Sequence, residues 1–485
     1  MLKRNHQEEK HDMRHHHILP WAALLLLWPF IDLHAGGVPL HDSVPGANAF
    51  TPAPSPAVPA VLDLKTAQGL ALQNNPSLQA AQARAAQARE RVRQALSRYL
   101  PRLEGTAGAT HVRPPKNQGP ALPSSGFSSV TSNVLSTGPQ DVYQAALNAT
   151  LTLFDGFQRE FALAAARFSE QRSQAAYREA QRVLLSAVAE SYFLAQLARQ
   201  RRTIAEADEA FNQRQLKDAQ AKEALGAGSL SDVLTFQVQV NLARAQKIQA
   251  EQEERVALTG LAALMGLPEG TFDRSITLAS LGEPDPERLG MPSIQDALAY
   301  ATKHRPDLDQ ARFALQAADA GMGSAKSRFF PSVNLFGTLE GSRIHDAGLA
   351  RDDFGSSVGI ALVVPLFSGG EDVFRVREAV RFRKEAQETL RQGTINAASE
   401  VQAAVEQILG AQEQFRLQQE NAVLVQKNRD LVEKEYAAGQ ASLVRLTQAQ
   451  RDLVQAQGQL AQARIALESA WVKLHSATGR ILEGF

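Results

Sequence analysis

The sequence predicts a mainly α-helical chain with a small β part, built as two copies of one long-helix hairpin unit. Three observations carry that prediction. The first is composition: of 485 residues only 6% are aromatic, and the longest tracts are written in Ala, Gln, Arg, Glu and Leu, as long helices are. The second is duplication. Shifting the chain by 230 residues lays 64–103 on 294–333 without a gap, matching Pro76 with Pro306, Leu78 with Leu308, and "SRYLP" at 97–101 with "SRFFP" at 327–331. Another shift, of 213, lays "LTLFDG" at 151–156 on "VPLFSG" at 364–369, and Gly226, Ser229 and Gly266 on Gly439, Ser442 and Gly479. The third is a change of hydrophobic period to two in the segments 143–153 and 357–366, the mark of half-buried strands.

Taken in order, residues 1–35 read as a cleaved export signal. "ILPWAALLLLWPFIDL" at 18–33 is too short to span comfortably as a mature helix, and the small-residue site "HAGG" follows at 34–37. Met13, followed by Arg14 and three histidines, heads a cleaner positive flank than Met1, so those histidines read as signal flank and not as a metal cluster. Residues 36–62 form a linker whose "FTPAPSPAVPA" at 50–60 holds no helix. No later apolar run approaches the ~18–20 residues of a spanning helix, so a membrane would be crossed as a β-barrel. Fifty-one basic residues balance 51 acidic ones, which gives no ground for a nucleic-acid partner. There is no Cys, which excludes disulfides, thiolate metal sites and a lipidated N-terminal cysteine.

The first repeat, 63–267, opens with a helix that Pro101 ends, since proline disfavours a helical residue before it and admits a strand after it. A hairpin over 102–154 follows. In it Tyr143, Ala145, Leu147, Ala149, Leu151 and Leu153 alternate with small or polar residues. From Gly156 the segment 156–224 has no proline and no internal glycine, a rod on the order of 100 Å at ~1.5 Å per residue. A tip at 225–229 and a helix to 265 complete the unit. After a connector, 268–292, the second repeat, 293–480, gives a helix ended by Pro331, a hairpin over 332–367, Gly369, a long helix over 369–437, a tip at 438–442, and a helix to 478; 481–485 is a tail. The two offsets differ by 17 residues, which the Gly-, Ser- and Pro-rich segment 114–139 accommodates as a surface excursion of the first half. Four strands are too few to close a barrel of useful bore, so several chains must contribute.

The closing helix shows how the rods pack. Leu446, Leu453, Leu460, Leu467 and Leu474 recur every seventh residue, with Ala449, Ala456, Ala463, Ala470 and Ala477 three residues after each, a leucine/alanine seam. The first-half equivalent runs through Val233, Phe236, Val240, Ala243, Ala250, Ala257, Leu261 and Leu264, and Lys247 and Glu254 interrupt it.

With "NNPSL"/"HRPDL", "SRYLPRL"/"SRFFPSV", "LFDG"/"LFSGG" and "GAGSLSDVL"/"GQASLVRL" recurring in order, the chain resembles the TolC-like outer-membrane efflux proteins over about 63–480. The resemblance implies a homotrimer whose protomers each give four strands to a 12-stranded barrel in outer-membrane lipid. Its duplicated hairpins would form a trimeric α-barrel across the periplasm, the exit duct of a tripartite efflux or type I secretion system. The implied partners are a periplasmic adaptor protein and an inner-membrane pump. It places the adaptor-contacting tips at Gly226, Ala227, Gly228 and Ser229 and at Gly439, Gln440, Ala441 and Ser442. A gate beside them would involve Tyr436, Asp232, Arg445 and Gln448; the family commonly has acids where Arg445 and Gln448 stand. Asp232 is a candidate ion-pair partner for Arg445, within or between protomers. A periplasmic adaptor or a structural coiled-coil protein are the rival readings; two lipid-type strand pairs argue against both. No phosphate loop, metal-ligand spacing or nucleophile elbow occurs, so no enzyme, cofactor or metal is expected.

Overall fold

A computed structural model describes residues 59–113, 139–267, 277–280 and 290–484. The expected export signal, most of the linker, all but the last residue of the excursion over 114–139 and much of the connector lie outside these residues. Each repeat opens with a helix broken before a proline. In the first, α1 (Leu64–Asn74) starts at Asp63, whose side chain accepts from Thr66 N; α2 (Pro76–Ser97) starts at Asn75, which accepts from Ser77 N and Leu78 N. In the second, α5 (Ile294–His304) is capped by Ser293, and α6 (Pro306–Ser327) begins after Arg305. Proline at the first helical turn gives up an N–H that would have had no partner there.

Pro101 and Pro331 then admit the strands. The pair β2 (Arg102–Val112) and β3 (Gln140–Phe154) and the pair β5 (Ser332–Ile344) and β6 (Phe354–Val363) form one antiparallel sheet in the order β2-β3-β5-β6. Arg102 faces Thr150 in the first hairpin and Ser332 faces Val363 in the second; the two registers are related by the same offsets, 230 and 213, that relate the sequences. Leu147 opposes Leu339 and Leu151 opposes Leu335, while Ile360 opposes Leu335 and Leu362 opposes Val333. One face is therefore Leu, Val, Ile and small residues. The other carries Thr106, Asn148, Thr150, Asn334, Thr338 and Ser357. β6 stops at Val363, short of the 367 that the alternation predicts. Pro365 lacks the N–H a ladder needs, so Val364 and Leu366 lie beyond the strand.

The rods α3 (Gln158–Ala224) and α7 (Glu371–Ala437) each run 67 residues. Each folds back into a shorter helix, α4 (Leu230–Leu264) or α8 (Leu443–Thr478). α3 packs on both α4 and α8, and α8 on α7, so the four lie side by side as α4-α3-α8-α7 with α4 and α7 on the flanks. The α8 seam is spent inside the chain: Leu446, Leu453, Leu467, Leu474 and all five alanines are buried, with Leu460 half-buried at its edge. In the α4 seam Phe236, Val240, Ala243, Ala250 and Leu261 are buried. The two charges that interrupt it find partners on α3: Lys247 Nζ lies 3.1 Å from Glu209, and Glu254 lies 2.5 Å from Arg202.

A small sheet that the sequence did not disclose ties linker to connector. β1 (Val61–Leu62) pairs in parallel with β4 (Thr277–Leu278). Leu62 is fully buried in a core with Ala67, Leu78, Tyr192 and Phe193, and its carbonyl accepts from the Tyr192 hydroxyl at 3.2 Å. The end of the proline-rich segment is thus anchored, two residues after its last proline.

Candidate functional site at the helix tips

Both long helices end in the same way, because both tip glycines take a conformation that costs other residues energy. Gly226 has φ 70° and Gly439 φ 77°. Ala227 N donates to Lys222 O at 2.9 Å and Gly226 N to Glu223 O at 2.9 Å, while Gln440 N donates to Glu435 O at 2.8 Å and Gly439 N to Tyr436 O at 3.0 Å. These are Schellman closures, which satisfy the last carbonyls of a helix. The next helices start on Ser229, which accepts from Ser231 N at 3.1 Å, and Ser442, which accepts from Arg445 N at 3.3 Å. At Gly228 a Cβ would lie 2.9 Å from Glu223 N, so that position too is confined to glycine by close approach. Ala227 and Gln440 are exposed, whereas Ala441 is half-buried against the core below.

That core joins all four rods: Phe211, Phe236, Val432, Leu446 and Ala449 are buried in it. Tyr436 packs edge-on to Phe236, with centroids 6.3 Å apart and planes at 70°. Lys222 Nζ sits 5.2 Å from the Tyr436 ring centroid, a cation–π arrangement. Burial, then the charges of Asp232 and Asp218, push the Tyr436 phenol above its usual range.

The charges at the tips differ from the sequence expectation. Within the chain Arg445 Nη1 pairs with Glu435 Oε2 at 2.9 Å and not with Asp232. The two stand opposite each other where the second hairpin turns. Under the offset of 213, Glu435 corresponds to Lys222 and Arg445 to Asp232, so the first tip carries the opposite charges at the corresponding positions. Gln448 is exposed, and its amide donates to Asp452 at 2.7 Å.

Above the tip lies a buried polar layer that pattern reading missed. Gln450 Nε2 donates to Asp208 Oδ1 at 2.8 Å, Asn212 donates to the Asp208 carbonyl at 2.9 Å, and Gln215 to Glu433 at 3.2 Å. Asp208, Asn212, Gln215 and Gln450 are each less than a tenth exposed. Burial raises the Asp208 carboxyl above its usual range against the hydrogen bonds that favour its charge. A polar position on α3 and one on α8 each read alone as a solvated face; only their conjunction in the heptad frame of α8, where Gln450 follows Ala449, gives a signal.

The junction residues close the opposite end of the rods. Gly156 has φ 68°, and a Cβ there would lie 2.5 Å from Ser327 O and 2.6 Å from Phe330 Cβ. Gly369, at φ 65°, faces open space. Arg159, one turn on, donates to Asp155 and to the carbonyls of Thr152 and Leu153, pinning the strand-to-helix corner. Among the described residues no group of three or more His, Cys, Asp or Glu is arranged to hold a metal ion, and no helix is long and apolar enough to cross a membrane.

The model of one protein family, described as outer membrane efflux protein, matches residues 68–267 and 297–480. Among curated proteins, the alkaline protease secretion protein AprF of Pseudomonas aeruginosa is 32% identical over 244 residues, 49% of each chain; that match spans about half the length of either protein. Protein CyaE of Bordetella pertussis is 29% identical over 443 residues, 89% of each chain. Among solved structures, the Campylobacter jejuni CmeC outer membrane channel superposes with a TM-score of 0.71 at 18% identity, covering 86% of this chain and 85% of that one.

Proposed function

The chain belongs to the outer membrane efflux protein family, and from that premise we propose that it is a trimeric channel-tunnel of the outer membrane, the exit duct of a tripartite efflux or type I secretion system. The sheet is the observation that carries this reading. It has one apolar face, one polar face and, among the described residues, two unpaired edges, β2 and β6. An open edge of this length is untenable in lipid, where every backbone group must be paired within protein. Because four antiparallel strands alternate in direction, β6 of one copy meets β2 of the next antiparallel, and rotation closes the ring with lipid outside and water inside. Three copies give twelve strands.

The helices support the same assembly. Leu234, Val238, Leu242, Ile248 and Val256 on α4, and Leu424 and Leu431 on α7, are large apolar side chains more than half exposed. They lie on the two flanking rods, where neighbouring protomers would cover them. At ~1.5 Å per residue each rod reaches about 100 Å from the barrel, a periplasmic distance. Its exposed tips, with Gly226, Ala227, Gly228 and Ser229 beside Gly439, Gln440, Ala441 and Ser442, are the surface for a periplasmic adaptor recruited with its inner-membrane pump. Tyr436, Asp232, Arg445 and Gln448 stand at that end and line the constriction. The protein is a passive conduit, and the chemistry of transport belongs to the pump. The duplicated hairpin with its strand pair is matched twice by the family model, which leaves no support for an adaptor or a purely structural coiled coil.

The test is extraction of the protein from outer membranes in mild detergent, followed by mass measurement and insertion into a planar bilayer. A trimer that conducts is expected; a monomer with full strand content overturns the proposal.

A further inference from the structure

In the buried layer above the tips, side chains tie the two hairpins of one chain to each other. Asp208 and Gln215 stand on α3, in the first hairpin; their partners Gln450 and Glu433 stand on α8 and α7, in the second. Relative motion of the hairpins at their tips must break these bonds. The Asp208–Gln450 bond is only half made. Gln450 Nε2 donates to Asp208 Oδ1 at 2.8 Å, but Gln450 Oε1, on the same amide, is buried and receives no hydrogen bond. A buried acceptor left in this way is costly. An ionised carboxylate is an acceptor only and cannot relieve it. A protonated one keeps an oxygen for the amide N–H and adds an O–H, the donor that Gln450 Oε1 lacks.

We infer that Asp208 and Gln450 are a proton-operated clasp between the two hairpins: the neutral carboxyl fastens α3 to α8 by a reciprocal pair of hydrogen bonds, and the charged form loosens them. A cleft of about 270 Å³ lies alongside, lined by Asp208, Asn212, Gln239, Gln246, Thr447 and Arg451 among others, and gives the proton a route to and from solvent. Burial favours the neutral form there. The surrounding charges are engaged elsewhere or face water. From α8 the exposed Arg451 is the charged residue that lines the cleft. α4 offers Gln239 and Gln246, while its Lys247 and Arg244 turn to Glu209, at 3.1 and 3.8 Å. On α7, Glu433 beside Gln215, two turns nearer the tip, is held by Arg429 at 2.7 Å. Among the described residues Asp208 forms no ion pair, so its own proton decides its charge. The duplication does not repeat the pair: under the offset of 213 Asp208 corresponds to Asn421 and Gln450 to Gln237, neither of them ionisable. Acidification from neutral pH toward the usual carboxylate range therefore closes one clasp per chain. The clasp lies within a single chain and does not rest on the trimer.

The chain has no cysteine, which makes the test direct. Ala227→Cys with Gln440→Cys places one nitroxide label on an exposed tip residue of each hairpin, and co-expression with an excess of unlabelled chain keeps the measured distance within one copy. Spin–spin distance distributions are recorded on the detergent-extracted protein from neutral pH down to about pH 4, the ordinary carboxylate range. The parent's distribution is expected to narrow as pH falls. Asp208→Asn, whose amide offers the same donor and acceptor as the neutral carboxyl, should be narrow throughout and lose the pH response. Gln450→Met, of similar length but with neither the amide donor nor its acceptor, should be broad throughout. A parent distribution equal at neutral and acid pH overturns the clasp. So does narrowing that survives in Asp208→Asn, which assigns the titration to another carboxyl, or in Gln450→Met, which assigns it to buried charge without the reciprocal bond. Should Asp208→Asn not fold, the parent and Gln450→Met still decide. The channel reading stands or falls separately, on the mass and conductance of the same extracted particle.

Discussion

Arg445 and Glu435 form an ion pair of 2.9 Å across the second tip, and their counterparts in the first tip, Asp232 and Lys222, carry the opposite charges at the same positions. Each tip is thus nearly neutral in itself. In the proposed trimer a ring of six such tips would have no net excess of either sign, where acidic residues at the positions of Arg445 and Gln448 would give one. Both members of the pair are substantially exposed, so the bond contributes little to stability; its consequence is electrostatic. In a narrow wet bore the sign of lining charges sets ion preference. The parent trimer is expected to show weak selectivity or a slight anion preference. Arg445→Asp, which leaves Glu435 beside a second acid, should move the reversal potential under a salt gradient toward cations, and Arg445→Ala should move it less in the same direction. A strongly cation-selective parent that Arg445→Asp does not alter would remove Arg445 from the constriction.

Tyr436 enters the tip core through its ring, edge-on to the fully buried Phe236. Losing a buried aromatic typically costs about 3–5 kcal/mol. Phe236→Ala should therefore loosen both tips together, because its core includes Phe211, Val432 and Leu446 from the other three rods. Faster amide exchange over 219–236 and 432–446 is the readout. Tyr436→Phe, which keeps the ring, should leave exchange near the parent's, and Tyr436→Ala should approach Phe236→Ala.

Much of this was legible in sequence because it depends on local rules. Pro101 and Pro331, the tip glycines with their following serines, and the period-two segments declare themselves wherever they fold. The structure departs where partners decide. Pro365 ended a strand that the alternation of its neighbours extended. Leu62 looked like the tail of a linker, and its burial depends on Leu278, which lies in another irregular segment. The α8 leucines gave a seam without naming its partner, which is α7 and α3 of the same chain. The sequence reading offered Arg445 only Asp232, whereas within the chain it pairs with Glu435 across the second tip. Asp208 and Gln450 each resemble a solvated residue until α3 and α8 are laid together.

Asp208 offers a test of that buried layer. Burial holds its carboxyl above the usual carboxylate range although Gln450 and Asn212 favour the charged form. The folded state therefore binds this proton more tightly than the unfolded chain, and folding is penalised at any pH above the raised folded value. The penalty is relieved as pH falls through that value toward the ordinary carboxylate range. Asp208→Asn keeps an acceptor for Gln450 Nε2 without the charge. It should raise the thermal midpoint at neutral pH, and the gain should shrink on acidification. A lower midpoint at neutral pH that recovers toward the parent's on acidification would show that the charge itself is needed there.

Arg305 joins the second repeat's opening helices to its rods. Only 2% exposed, it donates to Asp307 at 2.8 and 3.0 Å, to Glu400 at 2.7 Å and to the Ala477 carbonyl at 2.9 Å. Its counterpart under the offset of 230 is Asn75, which donates to Leu264 O at 2.8 Å; Leu264 corresponds in turn to Ala477. The first repeat thus makes the helix-to-carbonyl bond with a neutral amide and no carboxylates. Arg305→Leu strands the Ala477 carbonyl and leaves two acids facing each other, and breaking a buried pair in this way costs about 3–5 kcal/mol. The low end is expected, because Glu400 is 53% exposed and can hydrate. Arg305→Asn should cost less, since it restores the first repeat's bond to the carbonyl and supplies the cap that Asn75 gives α2. Arg305→Lys, a point charge without the planar fork, should not hold all three partners. The ordering is also pH-dependent. Burial raises Asp307, but the hydrogen bond and charge of Arg305 outweigh it and hold the carboxyl below its usual range. That contribution is present at neutral pH and is lost as pH falls through the lowered folded value. Midpoints of the three variants and the parent at neutral and acid pH decide the matter: parent above Asn, Asn above Leu, and parent and Asn converging on acidification. If Arg305→Leu matches the parent at neutral pH, the network is not what holds α5 and α6 to α7 and α8.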